Sequence, residues 1–127
     1  MAIDFFGIPN CDTCRKARRW LDDHEVEYRF VNLKDETPDV EVLRRLFAHD
    51  AIDPEKMLNT SGARYRQLNL APERATLSPD AYADLYSREA MLIKRPFITD
   101  GDRATSGYDE ELYDRYWVRL SQRPNVS

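Results

Sequence analysis

The segment FFGIPNCDTCRKARRWL, residues 5–21, guides the interpretation of the whole chain. Ile3 to Phe6, which overlap the start of this segment, form a short apolar run that predicts a buried strand. The sequence Gly-Ile-Pro-Asn at residues 7–10 then ends that strand. Asn, Asp and Thr are frequent N-cap residues, so the next helix is expected to begin within Asn10 to Thr13. Cys11 and Cys14, which are the only cysteines in the sequence, therefore lie where this helix begins.

The helix and the residues after it predict a βαβ unit. Cys14, Ala17 and Leu21 share one helical face, while a basic cluster from Arg15 to Arg19 covers much of the remaining surface. Val26 to Leu33 alternates between apolar and polar residues, which predicts a second strand. A strand, a helix and a strand within about thirty residues form a crossover unit whose two strands are parallel.

The rest of the chain predicts helices followed by a hairpin. Proline residues at predicted helix starts and apolar residues at helical spacing indicate a helical insert at about residues 38–90. A short apolar strand, an Asp-Gly turn and a partner strand at Arg103 to Gly107 then predict a hairpin. A closing helix is expected from Asp109 to about Leu120, with Leu112, Tyr116 and Leu120 on one face and Tyr113 and Trp117 beside it. Residues 122–127 are expected to be a frayed tail.

The element order is thus β-α-β, a helical insert and β-β-α. This order predicts an α/β, thioredoxin-like fold with a four-stranded mixed sheet, in which the hairpin pair runs antiparallel to the first two strands. The chain has 127 residues, of which 42% are hydrophobic. That composition provides one modest core, so a single domain over residues 1–127 is expected.

Composition also limits the classes of partner. The net charge of −4 argues against direct nucleic-acid binding. No apolar run approaches the roughly 18 residues of a membrane-spanning helix, and the first residues lack the pattern of a signal peptide. A soluble, cytoplasmic protein without membrane contact is expected.

The Cys-x-x-Cys pair is the main candidate for chemistry. A thiol at a helix N-terminus is stabilised as the thiolate by unpaired amides and by the helix dipole. Cys11 is therefore expected to attack and Cys14 to act as the resolving thiol. Two alternatives remain: both cysteines are small core residues, or they form half of a zinc site, for which only His24 and His49 are available as histidine ligands.

The remaining candidates are polar residues in the first segment and a second segment near residue 95. Arg15 is close enough in sequence to reach the thiol, whereas the rest of its basic cluster is expected to be a solvated helix face. Arg95 stands before Pro96 at the start of a strand, where a cis peptide bond would hold the backbone beside the thiol. The alternative interpretation makes Arg95 an ordinary surface charge. Asn10, Arg15 and Pro96 are the expected substrate-binding residues, with no metal ligand.

Three motifs resemble those of the arsenate reductase family of thioredoxin-like proteins, particularly its Spx-type regulators and related uncharacterised members. They are GIPNCDTCRKA at 7–17, MLNTSG with YRQL at 57–62 and 65–68, and LIKRPFI at 92–98, and they follow the family order. The resemblance implies a thioredoxin fold with a helical insert, a nucleophilic Cys11, and an Arg95 that faces an oxyanion or a sulfur.

The resemblance also bears on the substrate. Arsenate reductases of this type use one cysteine and three arginines, with glutathione and glutaredoxin completing the cycle. In this chain only Arg95 matches an arginine, because Asn59 and Gly107-Tyr108 stand where the other two are expected. Each charge-assisted contact contributes about 1.5–3 kcal/mol, so the loss of two argues against arsenate as the substrate.

Two functions follow from these observations. The first is a thiol-disulfide oxidoreductase that uses Cys11 and Cys14, with no bound cofactor and with glutathione, glutaredoxin or thioredoxin as electron donor. The second is an Spx-type regulator that binds the RNA polymerase alpha subunit and is switched by a Cys11–Cys14 disulfide. A degenerate family member kept for another protein contact is a third, less specific alternative.

Overall fold

Four strands form one mixed sheet in the computed structural model, which describes residues 2–118. They are β1 (Asp4–Gly7), β2 (Arg29–Asn32), β3 (Phe97–Thr99) and β4 (Ala104–Ser106). The spatial order is β2-β1-β3-β4, with β1 parallel to β2 and antiparallel to β3. The predicted α/β class and four-stranded mixed sheet are confirmed.

The direction of the last strand corrects the prediction that both hairpin strands run antiparallel to the first two. β3 does so, but β4 pairs antiparallel with β3 and therefore runs in the same direction as β1. The physical reason is that a tight hairpin reverses the chain, so its two strands cannot share a direction.

Helices account for most of the remaining described residues. They are α1 (Asp12–Asp23), α2 (Val40–Ala48), α3 (Ala63–Gln67), α4 (Pro79–Arg88) and α5 (Glu110–Tyr113). Two 3₁₀ turns, Pro54–Met57 and Ala90–Leu92, lie with α2, α3 and α4 between β2 and β3, where the helical insert is predicted. Within residues 2–118, none of the helices combines the length and the apolar character that crossing a membrane requires.

Successive residues of β1 point to opposite faces of the sheet and divide the core into two clusters. Phe6 packs with residues of the insert, including Leu43 and Tyr86. Phe5 packs on the other face with Cys14 and Trp117. The cysteine helix and the C-terminal helical segment therefore cover the same side of the sheet.

The closing helix differs from its prediction. α5 ends at Tyr113 and continues as a π-helical turn, Asp114–Val118. Tyr113 and Trp117 are fully buried, whereas Leu112 and Tyr116, which are predicted to lie together on one face, keep partial exposure. Residues four positions apart share a helical face, and burial of the two large rings removes the greater apolar area from water. Leu120 and the predicted tail lie outside the described residues.

Candidate functional site

Cys11 is the N-cap of α1, at the carboxyl end of β1. Its backbone is extended, its carbonyl accepts the first helical hydrogen bond from the Arg15 amide at 3.0 Å, and its Sγ accepts from the Cys14 amide at 3.2 Å. The side chain is partly exposed. This arrangement presents a sulfur with an aligned N–H donor at a helix N-terminus, which favours negative charge on that sulfur.

Cys14 lies one turn later and has a different environment. It is 1% exposed, and a Cβ added to Gly7 would lie 3.0 Å from its Sγ, so glycine permits the close approach of β1 to this sulfur. Burial raises the pKa of the Cys14 thiol to about 12, with a further increase from Cys11. A hydrogen bond from the Ile8 backbone and the charge of Arg95 oppose that increase. Cys14 is therefore held as a neutral thiol beside the more accessible Cys11.

The second half of the site comes from the start of β3. The Arg95–Pro96 peptide bond is cis, as predicted, and Pro96 is buried. Nη1 of Arg95 donates to the carbonyl oxygens of Met91 and Ile93, both at 3.4 Å. Its electrostatic effect on Cys14 indicates that the two distant segments meet. The sheet order explains this, because β1 and β3 are neighbours.

The polar residues near Cys11 are positioned as follows. Asn10 is exposed in the loop before α1. Arg15 forms an ion pair with Asp12 and donates to the Pro9 carbonyl at 3.3 Å, so its guanidinium lies against the loop. Lys16, Arg18 and Arg19 are exposed, which agrees with a solvated basic face.

The middle motif, residues 57–62, is hydrogen-bonded to the segment that leads to Arg95. The Lys94 amide donates to the Met57 carbonyl and the Asn59 amide to the Leu92 carbonyl, both at 2.7 Å. Arg64, which lies in α3 after this motif, forms a bidentate pair with Glu89 at 2.7 and 2.9 Å. Its guanidinium is thus engaged within the helical insert.

Tyr113 is a residue of this region that sequence reasoning placed only beside an apolar face. It is fully buried, belongs to the cluster that contains Cys14, and donates its hydroxyl hydrogen to the Gly107 carbonyl at 2.7 Å. Its spacing to Trp117 was the available signal, because two large aromatic residues at i and i+4 favour a shared buried face. Among the described residues, no group of three or more His, Cys, Asp or Glu side chains is arranged to hold a metal ion.

Comparisons with known proteins agree with this architecture. Residues 6–116 match the model of the ArsC family. The chain is 38% identical to the uncharacterized protein YusI of Bacillus subtilis (strain 168), over 93% of this chain and 100% of that protein. It is 28% identical to the global transcriptional regulator Spx of Lactiplantibacillus plantarum, over 92% of this chain and 87% of the regulator.

A solved structure gives the same result for the fold. The crystal structure of a possible arsenate reductase from Streptococcus mutans UA159 superposes with a TM-score of 0.78 at 34% identity. The match covers 87% of this chain and 96% of the other. The thioredoxin-like fold expected from the sequence is thereby confirmed.

Proposed function

Because the chain belongs to the ArsC family, we propose that it is a thiol-disulfide oxidoreductase in which Cys11 attacks and Cys14 resolves. One observation carries the proposal. The partly exposed Cys11 Sγ accepts a hydrogen bond from the Cys14 amide at the N-terminus of α1, while the Cys14 thiol is buried. One accessible sulfur and one protected sulfur suit an ordered, two-step exchange.

The chemistry consists of two displacements. The Cys11 thiolate attacks one sulfur of a substrate disulfide, whose S–S bond breaks, and the first substrate thiolate leaves and takes a proton from water. Cys14 then loses its proton and attacks the Cys11 sulfur, so that the Cys11–Cys14 disulfide forms and the second substrate thiol is released. The substrate gains two electrons and the cysteine pair loses two. Glutathione, glutaredoxin or thioredoxin then returns two electrons, in a cytoplasm that keeps thiols reduced.

The charges around the pair favour a disulfide over arsenate. Arg95 supplies a positive charge near the Cys14 sulfur. Arg15 and Arg64 are engaged by Asp12 and Glu89, and Asn59 is neutral. An oxyanion in water is strongly hydrated, and its transfer needs several charged donors to replace that hydration. A neutral disulfide has no such requirement.

The proposal is tested by trapping the intermediate. After treatment with an equimolar disulfide such as dithiodipyridine, Cys14→Ser is expected to keep one pyridylthio group on Cys11, visible by mass spectrometry, because the resolving thiol is gone. The unmodified chain is expected to release that group and to end two hydrogens lighter than the reduced protein, because the Cys11–Cys14 disulfide has formed. A stable adduct on the unmodified chain, or an adduct mapped to Cys14 rather than Cys11, would contradict the assigned order.

A second candidate function is a redox-switched regulator that binds the RNA polymerase alpha subunit. The likeness to Spx along nearly the whole chain is the observation that favours it. The oxidised protein is then expected to retain at least about five times as much purified alpha subunit as the reduced protein. A change in affinity of about fivefold is the lower end of the coupling usually found between two sites. Cys14→Ser, which cannot close the disulfide, serves as the matched control and should not respond to oxidant. Equal retention in both redox states would exclude the switch.

A further inference from the structure

Tyr113 lies where the two halves of the cysteine site meet. Its buried ring makes edge contacts with Trp20 of α1 and with Tyr108, at centroid distances of 5.6 and 5.5 Å. It also belongs to the apolar cluster that contains Cys14. A side chain of α5 therefore packs directly against the helix that carries both cysteines.

The hydroxyl of Tyr113 is bonded to the other half of the site. It donates to the Gly107 carbonyl at 2.7 Å, and the Gly107 amide donates to the Pro96 carbonyl at 2.9 Å. Gly107 has φ +90°, a left-handed conformation that favours glycine and ends β4. A chain of hydrogen bonds thus runs from Tyr113 through Gly107 to Pro96, the residue next to Arg95.

Electrostatic effects place the same groups near one another. The pKa of Tyr113 is raised chiefly by burial and next by the charge of Cys14, so the phenol and the thiol are close enough to interact. The charge of Arg95 in turn lowers the pKa of Cys14. Tyr113 and Arg95 therefore both lie near Cys14, although the three residues come from three separate segments.

We infer that Tyr113 is a positioning residue, whose hydroxyl fixes the Arg95–Pro96 segment against the cysteine pair through the Gly107 turn. The inference rests on the proposed oxidoreductase function and adds to it a group that acts through Arg95 rather than on the substrate. Without the hydroxyl, the Gly107 carbonyl loses a buried donor and the turn can shift. Arg95 then no longer holds its place during the exchange.

Tyr86 provides a matched control. It is also fully buried, and its hydroxyl donates to a backbone carbonyl, that of Pro54 at 2.6 Å, but within the helical insert. Tyr→Phe at either position removes one oxygen and one buried hydrogen bond. A general loss of stability is therefore expected from both variants, whereas a change in thiol chemistry is expected from Tyr113→Phe alone.

The measurement is the first-order rate constant for release of the second thiol from the preformed mixed disulfide between Cys11 and dithiodipyridine, the step in which Cys14 attacks. We expect Tyr113→Phe to lower it by about tenfold, since a lost buried hydrogen bond commonly has an effect of this order. Tyr86→Phe should stay within about twofold of the unmodified chain. Para-aminophenylalanine at position 113 retains an N–H donor for Gly107 and should restore the rate.

A double-mutant cycle separates positioning from general loosening. If Tyr113 acts through Arg95, Tyr113→Phe has no further effect on the rate in an Arg95→Gln background, so the two effects are not additive. Should Tyr113→Phe fail to fold, para-fluorophenylalanine at position 113, which fills more of the space and cannot donate, takes its place in the cycle.

Three results would overturn the inference: equal losses for Tyr113→Phe and Tyr86→Phe, additive effects in the cycle, or an Arg95→Gln variant with an unchanged rate. Each of these leaves the proposed function intact, because that function depends on Cys11. Failure of the function appears separately, as a Cys11→Ser variant that still releases thiol at the original rate.

Discussion

Replacing Cys11 with serine is expected to slow thiol release from dithiodipyridine at neutral pH by about 100-fold or more. Cys14 is then the only thiol left in the chain. It is 1% exposed, and its pKa is raised from the ordinary 9.0 to about 12. Loss of Cys11 removes the part of this increase that Cys11 causes, but burial, its largest cause, remains. The Cys14 thiolate therefore stays scarce at neutral pH, and limited access slows the reaction further.

The stoichiometry of release distinguishes the roles of the two cysteines. With one reagent molecule per chain, the unmodified protein is expected to release two equivalents of thiol, Cys14→Ser one, and Cys11→Ser almost none. Unfolding Cys11→Ser in denaturant should restore rapid reaction of its remaining thiol, which controls for oxidative loss of Cys14. If a folded Cys11→Ser variant reacted as fast as the unmodified protein, the assignment of the attack to Cys11 would be wrong.

The first half of the site could be predicted because its determinants are local. Capping residues and helical spacing involve residues within a turn of each other, so the sequence was sufficient to place Cys11 and Cys14 at the start of α1. Arg15, which is expected from its place in the sequence to reach the thiol, forms an ion pair with Asp12 three positions away, and that pair was not predicted. The cis Arg95–Pro96 bond was also predicted from its position before a strand.

Strand ends were predicted less well. The second strand was expected from Val26 to Leu33, whereas β2 covers Arg29–Asn32. The Val26 amide donates to the Leu21 carbonyl at 2.9 Å, so its backbone closes the turn that follows α1 and is not part of a strand, even though its side chain is apolar and buried. Alternation of apolar residues indicates burial, but it does not indicate which backbone partner each amide finds.

Contacts between distant segments were beyond the reach of sequence patterns. The bond from Tyr113 to Gly107 depends on how α5 returns across the sheet, and the Arg64–Glu89 pair depends on how α3 packs beside the end of α4. Neither pair has a sequence spacing that predicts contact. The first contact links α5 to the turn beside the Arg95–Pro96 segment. The second pairs the guanidinium of Arg64 with Glu89 within the helical insert.

The second displacement is expected to accelerate about tenfold for each pH unit, and therefore about 100-fold between pH 6 and pH 8. Only the Cys14 thiolate attacks, and burial keeps its pKa far above this range. Once Cys11 carries the mixed disulfide, the hydrogen bond and the charge by which Cys11 raises that pKa are removed. The pKa then falls towards the ordinary value of 9.0, which is still above pH 8. The steep dependence on pH thus survives the first step, although resolution becomes easier.

The release of the second thiol from the preformed mixed disulfide, followed by stopped flow, measures this step by itself. Arg95→Gln is the informative comparison, because loss of a charge that lowers the pKa of Cys14 should slow resolution at every pH without changing the slope. A rate that is flat between pH 6 and pH 8 would mean that Cys14 is already ionised in the mixed disulfide. In that case the attack of Cys11 would bring Arg95 and solvent closer to Cys14, and the buried, neutral thiol would describe only the protein before that attack.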